Sequence, residues 1–145
     1  MDPVAEFVAP EESRHSPLAK RYPLELLARK ADNFLNSTFV NLPSLQKMVR
    51  QGELELSRQD AESRGIKDGD WVRVFNERGE ILLTARVDGT VSPGVVGAKL
   101  GWAKLAGGGV NINVLTSARL ADLGGGATFY STLVEVERVP ETSNA

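Results

Sequence analysis

The chain has 145 residues, 41% hydrophobic and 25% charged, with a formal net charge of -2. A chain of this length can bury roughly 68–70% of its unfolded surface, enough for one core, and its dispersed basic residues give no general attraction to nucleic acid or an anionic membrane. The absence of Cys excludes disulfides, thiolate metal sites, iron–sulfur clusters and a Cys nucleophile within the chain, and His15, the only His, has no second imidazole for a metal site or a triad.

Residues 1–20 mix Pro3, Pro10 and Pro17 with charge and show no sustained period, which reads as a linker or a strapped-down extension. The domain is expected over residues 21–139, with 140–145 as a tail. Tyr22-Pro-Leu-Glu-Leu-Leu27 reads as a buried first strand, with Pro23 near its start where a missing ladder donor does least harm. A polar turn follows from Ala28. Pro43 to Gly52 reads as a short helix with Leu45, Met48 and Val49 on one face.

Glu53-Leu-Glu-Leu-Ser57 alternates like a strand, and Ser57 is placed to cap a short helix running to about Arg64. After a turn at Gly65–Asp70, Trp71-Val-Arg-Val-Phe75 puts Trp71, Arg73 and Phe75 on one face and Val72 and Val74 on the other. Asn76-Glu-Arg-Gly79 joins it to Ile81–Val87 as a hairpin. Another turn, Asp88–Gly94, leads to Val95–Ala98, and Leu133–Val139 closes the series. Five or six short strands with two or three short helices favour a mainly β fold, closed into a small barrel that hides its edges.

No basic segment followed by an apolar one opens the chain, and no apolar run approaches the roughly 20 residues of a membrane-spanning helix. The expectation is a cytoplasmic protein without membrane insertion, an export signal on any preceding part aside. The carboxylates between Asp60 and Asp70 serve a capped helix and a glycine turn better than acid–base chemistry. Neither a P-loop nor a dinucleotide fingerprint is present.

Two segments carry ligand chemistry. Gly107-Gly-Gly-Val-Asn-Ile-Asn-Val-Leu-Thr-Ser117, followed by Gly124-Gly-Gly126 and Tyr130, combines close-approach glycines with Asn111, Asn113 and Thr116. Backbone amides and neutral hydrogen bonders of this kind cradle phosphate or a polar ring, although a glycine triplet alone also serves as a flexible turn. In the second, Arg29 and Lys30 can neutralise a diphosphate while Asn33, Asn36, Ser37 and Thr38 hydrogen-bond a base or ribose; the alternative is a solvated turn.

Taken in order, Phe34-Leu-Asn-Ser-Thr-Phe39, Asp60-Ala-x-x-Arg-Gly-Ile-x-Asp-Gly-Asp70, Val74-Phe-Asn-x-Arg-Gly79, Pro93-Gly-Val-Val96 and Asn113-Val-Leu-Thr116 resemble the C-terminal molybdopterin-dinucleotide-binding domain of the molybdopterin oxidoreductases, the formate dehydrogenase and nitrate reductase group. The resemblance covers nearly everything except the two tails. It implies a six-stranded double-psi β-barrel closing over a molybdenum–bis(molybdopterin guanine dinucleotide) cofactor. Upstream domains would carry the metal ligand, any iron–sulfur cluster and the substrate pocket, and electron-transfer subunits are further expected partners. By position, Arg29–Thr38 resembles the dinucleotide-contacting loop, Asn113 a pterin- or nucleotide-contacting Asn, and Trp102 lies near a ligand-facing aromatic.

Two departures stand out. Many relatives have Gly-Arg where this chain has Ala28-Arg29-Lys30, leaving Arg29 and Lys30 as alternative phosphate contacts, and some carry a Lys where Tyr130 stands. The resemblance implies a cofactor-holding domain, catalytically silent alone, excised from a larger oxidoreductase. The alternative from another class is a protein-interaction double-psi barrel of an AAA-type ATPase, which would not need the amide-rich Gly107–Ser117 loop. A small self-contained barrel enzyme is disfavoured by the lack of a nucleophile–base pair.

Overall fold

The computed structural model describes residues 4, 6–30, 42–47, 52–99 and 111–140. Its strands are β1 (Leu24–Arg29), β2 (Glu53–Glu55), β3 (Trp71–Phe75), β4 (Glu80–Arg86), β5 (Val95–Lys99) and β6 (Leu133–Arg138), closed into a barrel in the order β1-β5-β2-β4-β3-β6. The pairs β1/β5 and β2/β4 are parallel and the other four antiparallel. This is the six-stranded double-psi barrel that the resemblance implied.

Alternation builds the core. Leu24 and Leu26 of β1, Leu54 of β2, Val72 and Val74 of β3, Val96 of β5, and Val134 and Val136 of β6 are all buried, joined by Leu56, Leu115 and Ile112 from the connections. Burying each such side chain contributes on the order of 1.5–3 kcal/mol, so the inward row of every strand fixes its register. Arg73 stays on the outer face, its guanidinium over the Phe75 ring at 4.1 Å and its Nε 3.1 Å from Glu137.

The short helix α2 (Arg58–Ser63) starts as its sequence dictates. Ser57 Oγ accepts from the Asp60 N–H at 3.1 Å, and Asp60 Oδ2 accepts from the Gly94 N–H at 2.8 Å, tying the helix to the turn before β5. The other acidic residues of this region also serve backbone: Asp68 accepts from the Val87 N–H and Asp70 from the Lys67 N–H. Among the described residues the first helix, α1, spans Pro43–Gln46 and carries Leu45, whereas Met48 and Val49 lie outside them.

The first strand is displaced from its expected bounds. Tyr22 precedes it, its N–H bonded to the Leu18 carbonyl of a 3-10 turn (Pro17–Lys20), while Ala28 and Arg29 belong to the strand because they pair with Ala98 and Lys99 of β5. A polar composition at Ala28–Arg29 marks an outward strand end here, not a turn.

Strand direction places the connections. β1, β3 and β5 run one way and β2, β4 and β6 the other. The β1–β2, β3–β4 and β5–β6 connections therefore all leave from one end, the upper end, while the α2 region and the β4–β5 turn close the lower end. The N-terminal segment is strapped along the outside between the two. Glu12 meets Arg78 of the upper β3–β4 hairpin, and Arg14 donates to Glu25 of β1 lower down.

Candidate functional site

Every residue singled out from the sequence for ligand binding belongs to two of the upper connections or their flanks. Arg29 ends β1 and Lys30, Asn33, Asn36, Ser37 and Thr38 follow it. Trp102, Asn111, Asn113, Thr116 and Tyr130 belong to the β5–β6 connection, which begins beside the first one because Arg29 and Lys99 are register partners. Asn33, Asn36, Ser37, Thr38 and Trp102 lie outside the described residues, as does the glycine triplet at 107–109.

The described candidates divide by what their side chains already do. Arg29 Nη2 donates to both carboxylate oxygens of Glu55, a buried residue of β2. Glu55 and Gly97 are register partners on the outward face, and a Cβ at position 97 would stand 2.5 Å from Glu55 Oε2. The missing side chain on β5 is therefore what lets Glu55 reach across that strand to β1. Glu55 was missed by the sequence reading; its only signal was a Glu at an alternation position that reads as solvent-facing. Lys30 is exposed and has no charged partner among the described residues.

Asn111 caps a 3-10 turn, Ile112–Leu115, accepting from the Asn113 N–H through Oδ1 at 2.9 Å. The Thr116 hydroxyl donates to the Asn113 carbonyl at 3.0 Å. Buried Ile112 and Leu115 anchor the turn, and Asn113 projects outward with no side-chain partner among the described residues. Tyr130 is 59% exposed, its ring 4.3 Å from that of Phe129. Gly124 and Gly125, with φ of 82° and 62°, turn a small hairpin in which Leu120 bridges Ala127, so this second glycine triplet shapes backbone.

Two residues not singled out for ligand chemistry hold the Asn113 turn. Asn76, 8% exposed, donates through Nδ2 to the carbonyls of Leu115 at 2.8 Å and Leu133 at 3.1 Å, and its Oδ1 accepts from the Arg78 N–H. Arg78 Nε adds a second bond to the Leu115 carbonyl at 2.9 Å. Among the described residues no group of three or more His, Cys, Asp or Glu side chains could hold a metal ion, and no helix is long and apolar enough to cross a membrane. Among the described candidates, the groups left without a side-chain hydrogen bond or ion pair, the Lys30 cation and the Asn113 amide, with the exposed Tyr130 ring, are of the types that suit an anionic ligand with a polar ring system.

The fold is a double-psi barrel whose two candidate ligand-binding connections leave from one end. The family model described as the Molydopterin dinucleotide binding domain matches residues 24–133, and the chain belongs to this molybdopterin-dinucleotide-binding family. It is 48% identical over 107 residues to the probable oxidoreductase YoaE of Bacillus subtilis, covering 74% of this chain and 16% of that protein. It is 39% identical over 144 residues to the dimethyl sulfoxide reductase DmsA of Escherichia coli, covering 96% and 18%. Among solved structures, the acetylene hydratase of Pelobacter acetylenicus shares the fold with a TM-score of 0.79 at 22% identity, over 95% of this chain and 22% of that one. The chain thus spans less than a fifth of the length of those two curated relatives, and the match decides against the ATPase interaction module.

Proposed function

We propose that this domain works within a larger molybdenum-dependent oxidoreductase, where it holds a bis(molybdopterin guanine dinucleotide) cofactor against upstream domains of the same polypeptide. The observation that carries the reading is topological. The two segments with ligand chemistry leave the barrel side by side from the same end, where Lys30 and the Asn113 side chain have no partner among the described residues.

The bound metal centre would supply the redox chemistry. The chain itself has no Cys, and its single His, packed edge-on against Phe7 at 5.9 Å, belongs to the N-terminal strap. Its residues would bind and orient: Lys30 and Arg29, with Asn33, Asn36, Ser37 and Thr38, toward the dinucleotide, and Asn113, Trp102 and Tyr130 toward the pterin or base. Asn111 and Thr116 would act by shaping the turn. A metal-ligating residue, any iron–sulfur cluster and electron-transfer partners belong in this reading to other parts of the enzyme, in the cytoplasm.

The test is cofactor content. In the full-length enzyme, Asn113→Ala, Arg29→Ala and Lys30→Ala are expected to lower molybdenum and guanine nucleotide per polypeptide while folding is kept. Wild-type content in all three would remove these residues from the site, and release of a different nucleotide would overturn the guanine assignment.

A further inference from the structure

We propose that Glu12, in the N-terminal strap, is a positioning residue for Asn113, acting through Arg78 and the Leu115 carbonyl. The inference rests on the reading of Asn113 as a cofactor contact. Glu12 grips Arg78 at both ends of the carboxylate, with Oε1 2.6 Å from Nη1 and Oε2 2.9 Å from Nη2, and Oε2 also accepts from the Leu133 N–H at 3.1 Å. The Glu12 side chain is only 11% exposed, so this is a desolvated, bidentate contact with defined geometry.

Held in this way, Arg78 aims its remaining Nε–H at Leu115, the last residue of the turn that presents Asn113. The turn's own bonds are all local, Val114 N–H to the Asn111 carbonyl and Thr116 N–H to the Asn113 carbonyl at 3.1 and 3.2 Å, with the Asn111 cap and the Thr116 hydroxyl, and none of them ties it to the barrel. A turn this short cannot fix its own orientation on the barrel. Two buried side chains, Ile112 and Leu115, fix its depth, and Asn76 with Arg78 fixes its rotation. Glu12 is the only one of these groups that comes from outside the barrel, and it joins the Asn113 turn to β6 through Leu133.

Hydrogen exchange and cofactor loss in the full-length enzyme test this. Glu12→Ala is expected to speed exchange at the Val114 and Thr116 amides by about tenfold, the scale of one lost charge-assisted bond, while the barrel amides of Glu25 and Leu56 stay at wild-type rates. Cofactor loss should quicken by a similar factor. Arg78→Lys, which keeps a cation opposite Glu12 but has no Nε–H for Leu115, should give the same signature and covers the case in which Glu12→Ala fails to fold. Glu25→Gln, which loosens the strap elsewhere, should leave the turn unchanged. Uniform acceleration of all amides, or an unchanged turn, overturns the proposal. A loosened turn with wild-type cofactor retention leaves the clasp standing and overturns the assignment of Asn113 to the cofactor.

Discussion

Asn111, Asn113 and Thr116 look alike as residue types, yet only Asn113 has a side chain without a partner in its own turn. Residue type names what a side chain can bond, and local geometry decides whether the bond is already made. The cap at Asn111 was legible in principle, since Asn two residues before another polar residue favours a turn closed on its own backbone. The reach of the Asn76 Nδ2 was not, because its two carbonyl partners lie 39 and 57 residues away. Asn76→Ala should lower unfolding free energy by about 1–3 kcal/mol, because the bonds to the Leu115 and Leu133 carbonyls are lost and only Leu115 keeps a second side-chain donor, Arg78; urea denaturation measures it.

Glu25 gives the pH dependence at this scale. A side-chain hydrogen bond from Arg14 holds its carboxyl below the usual glutamate range, against partial burial, which pushes the other way. A depressed folded value means the contribution is present above the unfolded value, about 4.3, and is lost as pH falls through the folded one. Glu25→Gln should therefore lower thermal stability slightly in the neutral range, by little because the pair is exposed, and flatten its fall with pH below that point so that the two curves converge in acid. A steep, unaltered acid limb would refute the assignment.

Individual elements were legible where a period was strict. β3 follows its expected alternation, β4 forms the expected second arm of the hairpin, and the Ser57 cap forms as its sequence requires. The end of β1 was not legible, because Ala28 and Arg29 are strand only by virtue of their partners on β5, about 70 residues on. Gly97 shows why an interior strand glycine is informative. Gly97→Ala would push the Glu55 carboxylate off Arg29, at a cost of about 1–3 kcal/mol by analogy with overpacking. Glu55→Ala removes the obstructing oxygen, so the double variant should cost less than the sum of the two singles. Additive losses in a double-mutant cycle would mean that Gly97 serves some other contact.

At the scale of the molecule, the closed barrel was legible from the count of short strands, whereas the gathering of the candidate loops at one end was not. That follows from strand direction, a long-range property which no local pattern carries. The first 20 residues read as either a linker or a strapped-down extension, and among the described ones Glu12 and Arg14 contact the barrel. Removing residues 1–14 should lower stability by about 2–3 kcal/mol through the lost Glu12 bonds to Arg78, or roughly 5–10 °C in melting temperature for a domain of this size.

The strap also offers a place from which to watch the barrel. Glu12 joins the β3–β4 hairpin to the first residue of β6, so a fluorophore at the exposed position Pro10 would report opening of that contact, and one at Pro140, beyond the far end of β6, would serve as its reference.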